Sequence, residues 1–98
     1  MNTGANITIA ENILIYGYCY IQSSSHGYKK SEIIKKQKYL YKEIIVEEDA
    51  WIGAHSIIMP GVKISKGSII GANSVVKSNT GDYEIHAGNP ATKVTERI

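Results

Sequence analysis

A single thiol, Cys19, is all the cysteine this 98-residue chain carries. One thiol closes no internal disulfide and fits a reducing compartment, so a cytoplasmic location is expected. No apolar stretch approaches the ~20 residues that cross a bilayer, so no membrane span is expected. The opening Met1-Asn2-Thr3-Gly4 has neither a basic n-region nor an apolar h-region, which argues against a signal peptide. Charge of one sign is also scarce. The formal net charge is +2, too little to point to nucleic acid. Length permits one domain, and a chain this short leaves much of its surface unburied unless it oligomerises.

What the sequence does have is a period. Counting by six from Val46 gives Ile52, Ile58, Ile64, Ile70 and Val76, all β-branched and aliphatic. Four residues after each comes Ala50, Ser56, Val62, Ser68, Ser74 or Thr80, all small or at most valine-sized. The same frame, restarted upstream, gives Ile9, Ile15 and Ile21, followed by Ile13, Cys19 and Ser25, with Thr3 and Ile7 as a poorer hexad ahead. Residues 27 to 44 interrupt the pattern.

Period six has a simple physical reading. A chain that turns a corner every six residues points one large and one smaller side chain inward per short strand. Three strands close a triangular coil of 18 residues, and stacked coils hydrogen-bond as parallel strands, each depending on its neighbours. Gly53, Gly61, Gly67 and Gly71 recur near the turns, where positive φ or close backbone approach costs glycine little. A helix is disfavoured, because Ile, Val, Gly, Ser and Asn dominate residues 45 to 80. An antiparallel sandwich would alternate with period two and lack the six-residue phase. The expected class is therefore all-β, a parallel β-helix over one domain of residues 1–98. It carries an excursion loop at about 27–44 and a C-terminal cap at about 83–98, where Pro90 suggests a turn followed by a short strand or helix over the exposed edge.

These residues carry a resemblance. Trp51-Ile52-Gly53-Ala54 with Ile58-Met59-Pro60-Gly61-Val62, then Ile70-Gly71-Ala72-Asn73-Ser74-Val75-Val76 and Ala87-Gly88-Asn89-Pro90-Ala91, are similar in order and spacing to the hexapeptide-repeat acyltransferases. The branch resembled holds maltose and galactoside acetyltransferases and polysaccharide O-acetyltransferases. Upstream, Ile7-Thr8-Ile9-Ala10-Glu11-Asn12 resembles its "VTIGDN", and Ser25-His26 sits where the family has a loop histidine. The resemblance implies a left-handed β-helix, acetyl-CoA as co-substrate, a sugar or related hydroxyl as acceptor, and a homotrimer with active sites between subunits. It also implies an N-terminal portion ahead of Thr3 that helps form the acceptor pocket. Gly27 stands where the family often has proline.

Acetyl transfer needs a base, donors for a developing oxyanion, and a groove for the coenzyme. His26 is the expected general base, since an unperturbed imidazole is mostly neutral at cytoplasmic pH; as residues alone, Ser23-Ser24-Ser25-His26-Gly27 also reads as an exposed loop. His55 is the rival and is expected to be structural, and His86 incidental. Backbone groups at Gly53, Ala54, Gly71 and Ala72 stack 18 residues apart on one edge, where the resemblance places the pantetheine arm and where fixed amides stabilise oxyanions. Lys77 and Lys93, with Arg97, are candidates for the coenzyme phosphates, Lys93 being preferred. Trp51 should face outward and either contact the acceptor or lie at a subunit interface. Cys19 should face inward, leaving no covalent step, and the three histidines show no metal-ligand spacing.

Two other readings stay open. The same solenoid serves as a non-catalytic trimeric scaffold or an inactive remnant of such an enzyme. The stretch from Tyr28 to Lys42, with six lysines and interleaved tyrosines, is in isolation an anion-binding surface; a protruding loop with a helical turn over Ser31 to Lys38 is the plainer reading. The resemblance extends that loop over a neighbouring subunit.

Overall fold

A computed structural model describes residues 7–26 and 29–98, without the side chains of His26 and Tyr39. The Thr3 hexad and residues Gly27 and Tyr28 lie outside the described residues. The inward frame starting at Val46 predicts strands two or three residues long, and such strands form. They are β1 (Ile7–Ile9), β2 (Leu14–Ile15), β3 (Tyr20–Ile21), β4 (Ser24–His26), β5 (Tyr39–Tyr41), β6 (Ile44–Val46), β7 (Trp51–Ile52), β8 (Ile57–Ile58), β9 (Lys63–Ile64), β10 (Ile69–Ile70), β11 (Val75–Val76), β12 (Glu84–Gly88) and β13 (Ala91–Glu96). Three sheets, parallel except for the last strand of sheet B, form the walls of a prism. Sheet A has the order β1-β6-β9, sheet B β13-β12-β10-β7-β2, and sheet C β11-β8-β3.

Register fixes what faces inward. Ile9 pairs with Val46 and Val46 with Ile64; Ile15 with Ile52 and Ile52 with Ile70; Ile21 with Ile58 and Ile58 with Val76. From Val46 onward these ladders are fully buried, as are the small residues Ala50, Ser56, Val62, Ser68, Ser74 and Thr80. Each buried Ile or Val is worth roughly 1.5–3 kcal/mol of burial. The first coil keeps the register but has nothing stacked below it among the described residues, so Ile9 stays 46% exposed.

Small polar residues sit in this core because the corners present carbonyls that need donors. Ser56 and Ser74 hydroxyls both donate to Gly71 O, at 3.0 and 2.7 Å. Ser65 Oγ donates to Thr80 O at 2.7 Å, and Ser68 Oγ to Gly81 O at 2.9 Å. No buried side-chain polar atom among the described residues lacks a partner. The corners themselves recur every six residues in the left-handed region, at Asn12 and Tyr18, then at Asp49, His55, Gly61, Gly67 and Asn73. Asn and Asp tolerate that conformation; Tyr18 and His55 occupy it against their steric preference. The glycines divide in role. Gly61 and Gly67 adopt positive φ, whereas Gly53 and Gly71 serve close approach between coils.

Two details differ from the sequence reading. Ser25 is exposed and Ser23 takes the buried place, because the chain leaves the coil at Ser24. There β4 pairs with β5 as an antiparallel ribbon, the base of an arm that rejoins the coil at fully buried Ile44. The expected helical turn shrinks to a 3-10 turn, Ile34–Lys36. At the other end β12 extends sheet B in parallel, and β13 folds back antiparallel after a cis Asn89–Pro90 bond, so the cap is a strand. Its position is fixed by Arg97, which bonds Asp49 at 2.9 Å and Gly67 O at 3.1 Å while lying over the Tyr83 ring.

A Cβ on Gly53 would sit 2.6 Å from Ala72 N and 2.8 Å from Ile70 O, whereas one on Gly17 meets nothing within 4 Å. Gly53→Ala is therefore expected to cost about 1–3 kcal/mol, as overpacking does. Gly17→Ala should stay within about 0.5 kcal/mol of the parent. Urea unfolding midpoints of the two variants check the contrast.

Candidate functional site

The corner after β7 and the stacked corner after β10 bring Gly53, Ala54, Gly71 and Ala72 together, because Ile52 pairs with Ile70. Their backbone groups are not equivalent. Gly53 N–H donates to Ile70 O at 2.8 Å, and its carbonyl accepts from Cys19 Sγ at 3.1 Å. Gly71 N–H donates to His86 O at 2.8 Å, and its carbonyl takes the two serine hydroxyls. Both glycines are thus committed to holding the coils together. Among the described residues, no partner meets the amides of Ala54 and Ala72. Adjacent strands lie about 4.8 Å apart, so these two donors repeat along the axis at that spacing.

Aromatic rings frame this corner. Trp51 points outward, 39% exposed, and meets Tyr16 edge-on at 5.7 Å between centroids. On the far side His55 stacks on Tyr18 at 5.1 Å between centroids, the ring planes nearly parallel. The paired tyrosines are features the hexad count passed over, although Tyr16, Tyr18 and Tyr20 alternate in the sequence at outward positions. Cys19 is half-buried against the core.

His26 enters through its backbone. It ends β4, paired with Tyr39, so the scaffold fixes its main chain at the base of the arm; its side chain lies outside the description. A polar chain approaches β4 along sheet C. Tyr20 Oη donates to Gln22 Oε1, and Gln22 Nε2 donates to Ser24 Oγ at 2.9 Å.

The basic candidates separate sharply. Lys93, the preferred phosphate partner, is held by carboxylates, 2.6 Å from Glu96 and 3.4 Å from Glu84. Glu96 first, then Glu84, raise its ammonium above the ordinary lysine range. Arg97 is bound to Asp49. Lys77 is exposed and has no partner among the described residues. His86 is not a loose surface residue. It continues the ladder Ile15–Ile52–Ile70 as a buried side chain, with Nε2 2.9 Å from Glu84 Oε1. Sequence could not foresee this, because the step from Ile70 to His86 is 16 residues and falls out of phase.

Residues 43–78 match the profile of the bacterial transferase hexapeptide (six repeats). Over those residues the chain carries the hexapeptide repeat of bacterial transferases. In keeping with that repeat, its β-helix is the left-handed parallel one. The hexapeptide-repeat chain is 42% identical over 54 residues to a chloramphenicol acetyltransferase of Klebsiella aerogenes, across 55% of its own length and 26% of the relative's. It is 31% identical over 91 residues to the galactoside O-acetyltransferase of Escherichia coli (strain K12), across 92% of itself and 44% of the relative. A solved galactoside acetyltransferase in complex with coenzyme A superposes with a TM-score of 0.72 at 29% identity, covering 95% of this chain and 43% of that one. The chain thus spans less than half the length of these relatives.

Glu84 gives the cap a pH dependence. Hydrogen bonding to His86, then to Gly81 N–H, with Lys93 adding to it, lowers its pKa from 4.5 to about 2. A carboxylate depressed in the folded state contributes stability that is complete above its unfolded pKa and lost as pH falls through the folded one. The protection factors of β12 and β13 amides, taken relative to intrinsic exchange at each pH, are expected to fall between about pH 4.5 and pH 2. Glu84→Gln should remove that pH dependence and start from the weaker level throughout.

Proposed function

We propose that this chain acts as an acetyl-CoA-dependent O-acetyltransferase on a sugar or related hydroxyl. The observation that carries this reading is the pair of amides at Ala54 and Ala72, stacked beside Trp51 and without a partner among the described residues. They lie in the segment that aligns with a galactoside acetyltransferase bound to coenzyme A. Two donors repeated along one corner suit the amide groups of an extended pantetheine arm. Small side chains at that corner let a ligand approach the backbone. Lys77, unpaired by any carboxylate, is the better candidate for coenzyme phosphate than Lys93.

In this reading His26 takes the proton from the acceptor hydroxyl as its oxygen attacks the thioester carbonyl. The tetrahedral oxyanion is met by an amide of the Ala54–Ala72 corner. Collapse expels the coenzyme thiolate, which regains a proton from the imidazolium of His26. Trp51 and Tyr16 wall the acceptor side. The outer surfaces of sheets B and C carry Leu14, Trp51, Ile69 and Ile85, and Tyr20, Ile57 and Val75, with Leu14, Tyr20, Trp51 and Ile57 exposed. Exposed apolar faces of this extent suit subunit packing, and a homotrimer is the assembly proposed, in the cytoplasm where the Cys19 thiol stays reduced. One competing reading is a β-helical scaffold without catalysis, which the same stacked coils would serve.

Calorimetric titration with acetyl-CoA separates the two. The enzyme reading expects binding by both the parent and His26→Ala, with transfer to a hydroxyl acceptor reduced roughly 10²–10⁴-fold in the variant, the usual worth of a general base. Absence of binding at millimolar coenzyme leaves the scaffold.

A further inference from the structure

The row of amides at the corner between sheets B and C does not stop at Ala54. Because Ile15 pairs with Ile52 and Ile52 with Ile70, Gly17 holds in the first coil the place that Ala54 and Ala72 hold in the next two. Its carbonyl accepts from His55 N at 3.2 Å, and no partner meets its amide among the described residues. A Cβ built on Gly17 meets nothing within 4 Å, so the space beside that amide is open. The residues that follow, Tyr18, His55 and Asn73, are all left-handed, with φ of 62°, 60° and 59°. Asparagine suits that conformation, whereas tyrosine and histidine adopt it at a steric cost. Burial does not offset that cost at Tyr18, whose ring is 86% exposed with His55 stacked against it. Strain held at an open ring beside an open donor points to a ligand.

In the enzyme reading, on which this inference rests, the phosphate end of the coenzyme lies toward Lys77, just after β11, and the arm that bears His26 leaves the first coil after β3. The reacting end of the coenzyme therefore faces the first coil. The next group beyond it along this corner is Gly17 with Tyr18. We propose that Tyr18 is a specificity-determining residue that stacks on the C–H face of an acceptor pyranose, with Gly17 N–H donating to one of its oxygens. A pyranose has an apolar face and a rim of hydroxyls, which suits an open ring beside a single donor. An aromatic acceptor calls instead for an enclosed apolar pocket, and the Tyr18 ring stands in the open.

Saturation-transfer NMR of the full chain with coenzyme A, using methyl β-galactopyranoside and methyl α-glucopyranoside as probes, tests this without requiring turnover. Tyr18→Asn removes the ring and leaves a residue suited to the corner, as Asn73 is; Tyr18→Phe keeps the ring. In the parent and in Tyr18→Phe, saturation should concentrate on the C–H face of at least one sugar. Affinity for that sugar should be roughly fivefold weaker in Tyr18→Asn, the worth of an aromatic stacking contact. Acetyl-CoA titration should give the same affinity for all three proteins. Four results overturn the proposal: neither sugar bound by the parent, equal binding by Tyr18→Asn, preference for benzyl alcohol over both sugars, or altered sedimentation of Tyr18→Asn, which makes the ring a contact between copies. Coenzyme binding without sugar binding sinks this inference alone, whereas absence of both sinks the enzyme reading with it.

Discussion

Everything in this molecule depends on keeping three inward ladders in phase while coils stack in parallel. Each strand is only two or three residues long, too short to be stable alone, so its hydrogen bonds exist because the coils above and below lie in register. A slip of one residue would turn every isoleucine outward. The small buried residues belong to the same constraint. Serine and threonine fit the tight corners and donate to corner carbonyls that would otherwise be buried without a donor.

That constraint also decides where chemistry can sit. The interior is filled, so a ligand must use the outside of a corner or a face. At the corner after β7 the glycines tie coil to coil, while no partner among the described residues meets the amides of the neighbouring alanines. Close stacking requires glycine at Gly53 and Gly71, and the same absence of bulk keeps the corner approachable from outside. The rings of Trp51, Tyr16, Tyr18 and His55 border it, and the polar chain through Gln22 leads from sheet C to the strand that carries His26.

The two ends of the solenoid are treated differently. At the C-terminal end a histidine replaces isoleucine in the ladder, is satisfied by Glu84, and is covered by a strand locked through Arg97. At the other end the first coil keeps its register but exposes Ile9 and Ile15. The charged groups follow the same division. Those of the cap neutralise one another, while Lys77 has no partner among the described residues.

How much of this was legible depends on range. The hexad count located every buried large residue from Val46 to Val76 and placed Trp51 outward, because period and register are local properties of the chain. It also marked the interruption at residues 27–44 and the end of the repeat near Tyr83. It could not tell that Ser23 and not Ser25 is buried, that the excursion is a β-ribbon, or that His86 enters the core, since each depends on where the chain leaves the coil or rejoins it. Nor could composition reveal that Lys93 and Arg97 already have carboxylate partners. Arg97 reaches Asp49 across 48 residues, and only the folded prism makes them neighbours. Sequence alone therefore determined the repeat and its inward faces. The tertiary structure decided which backbone amides, charges and aromatic rings remain available, because availability is what is left after long-range pairing.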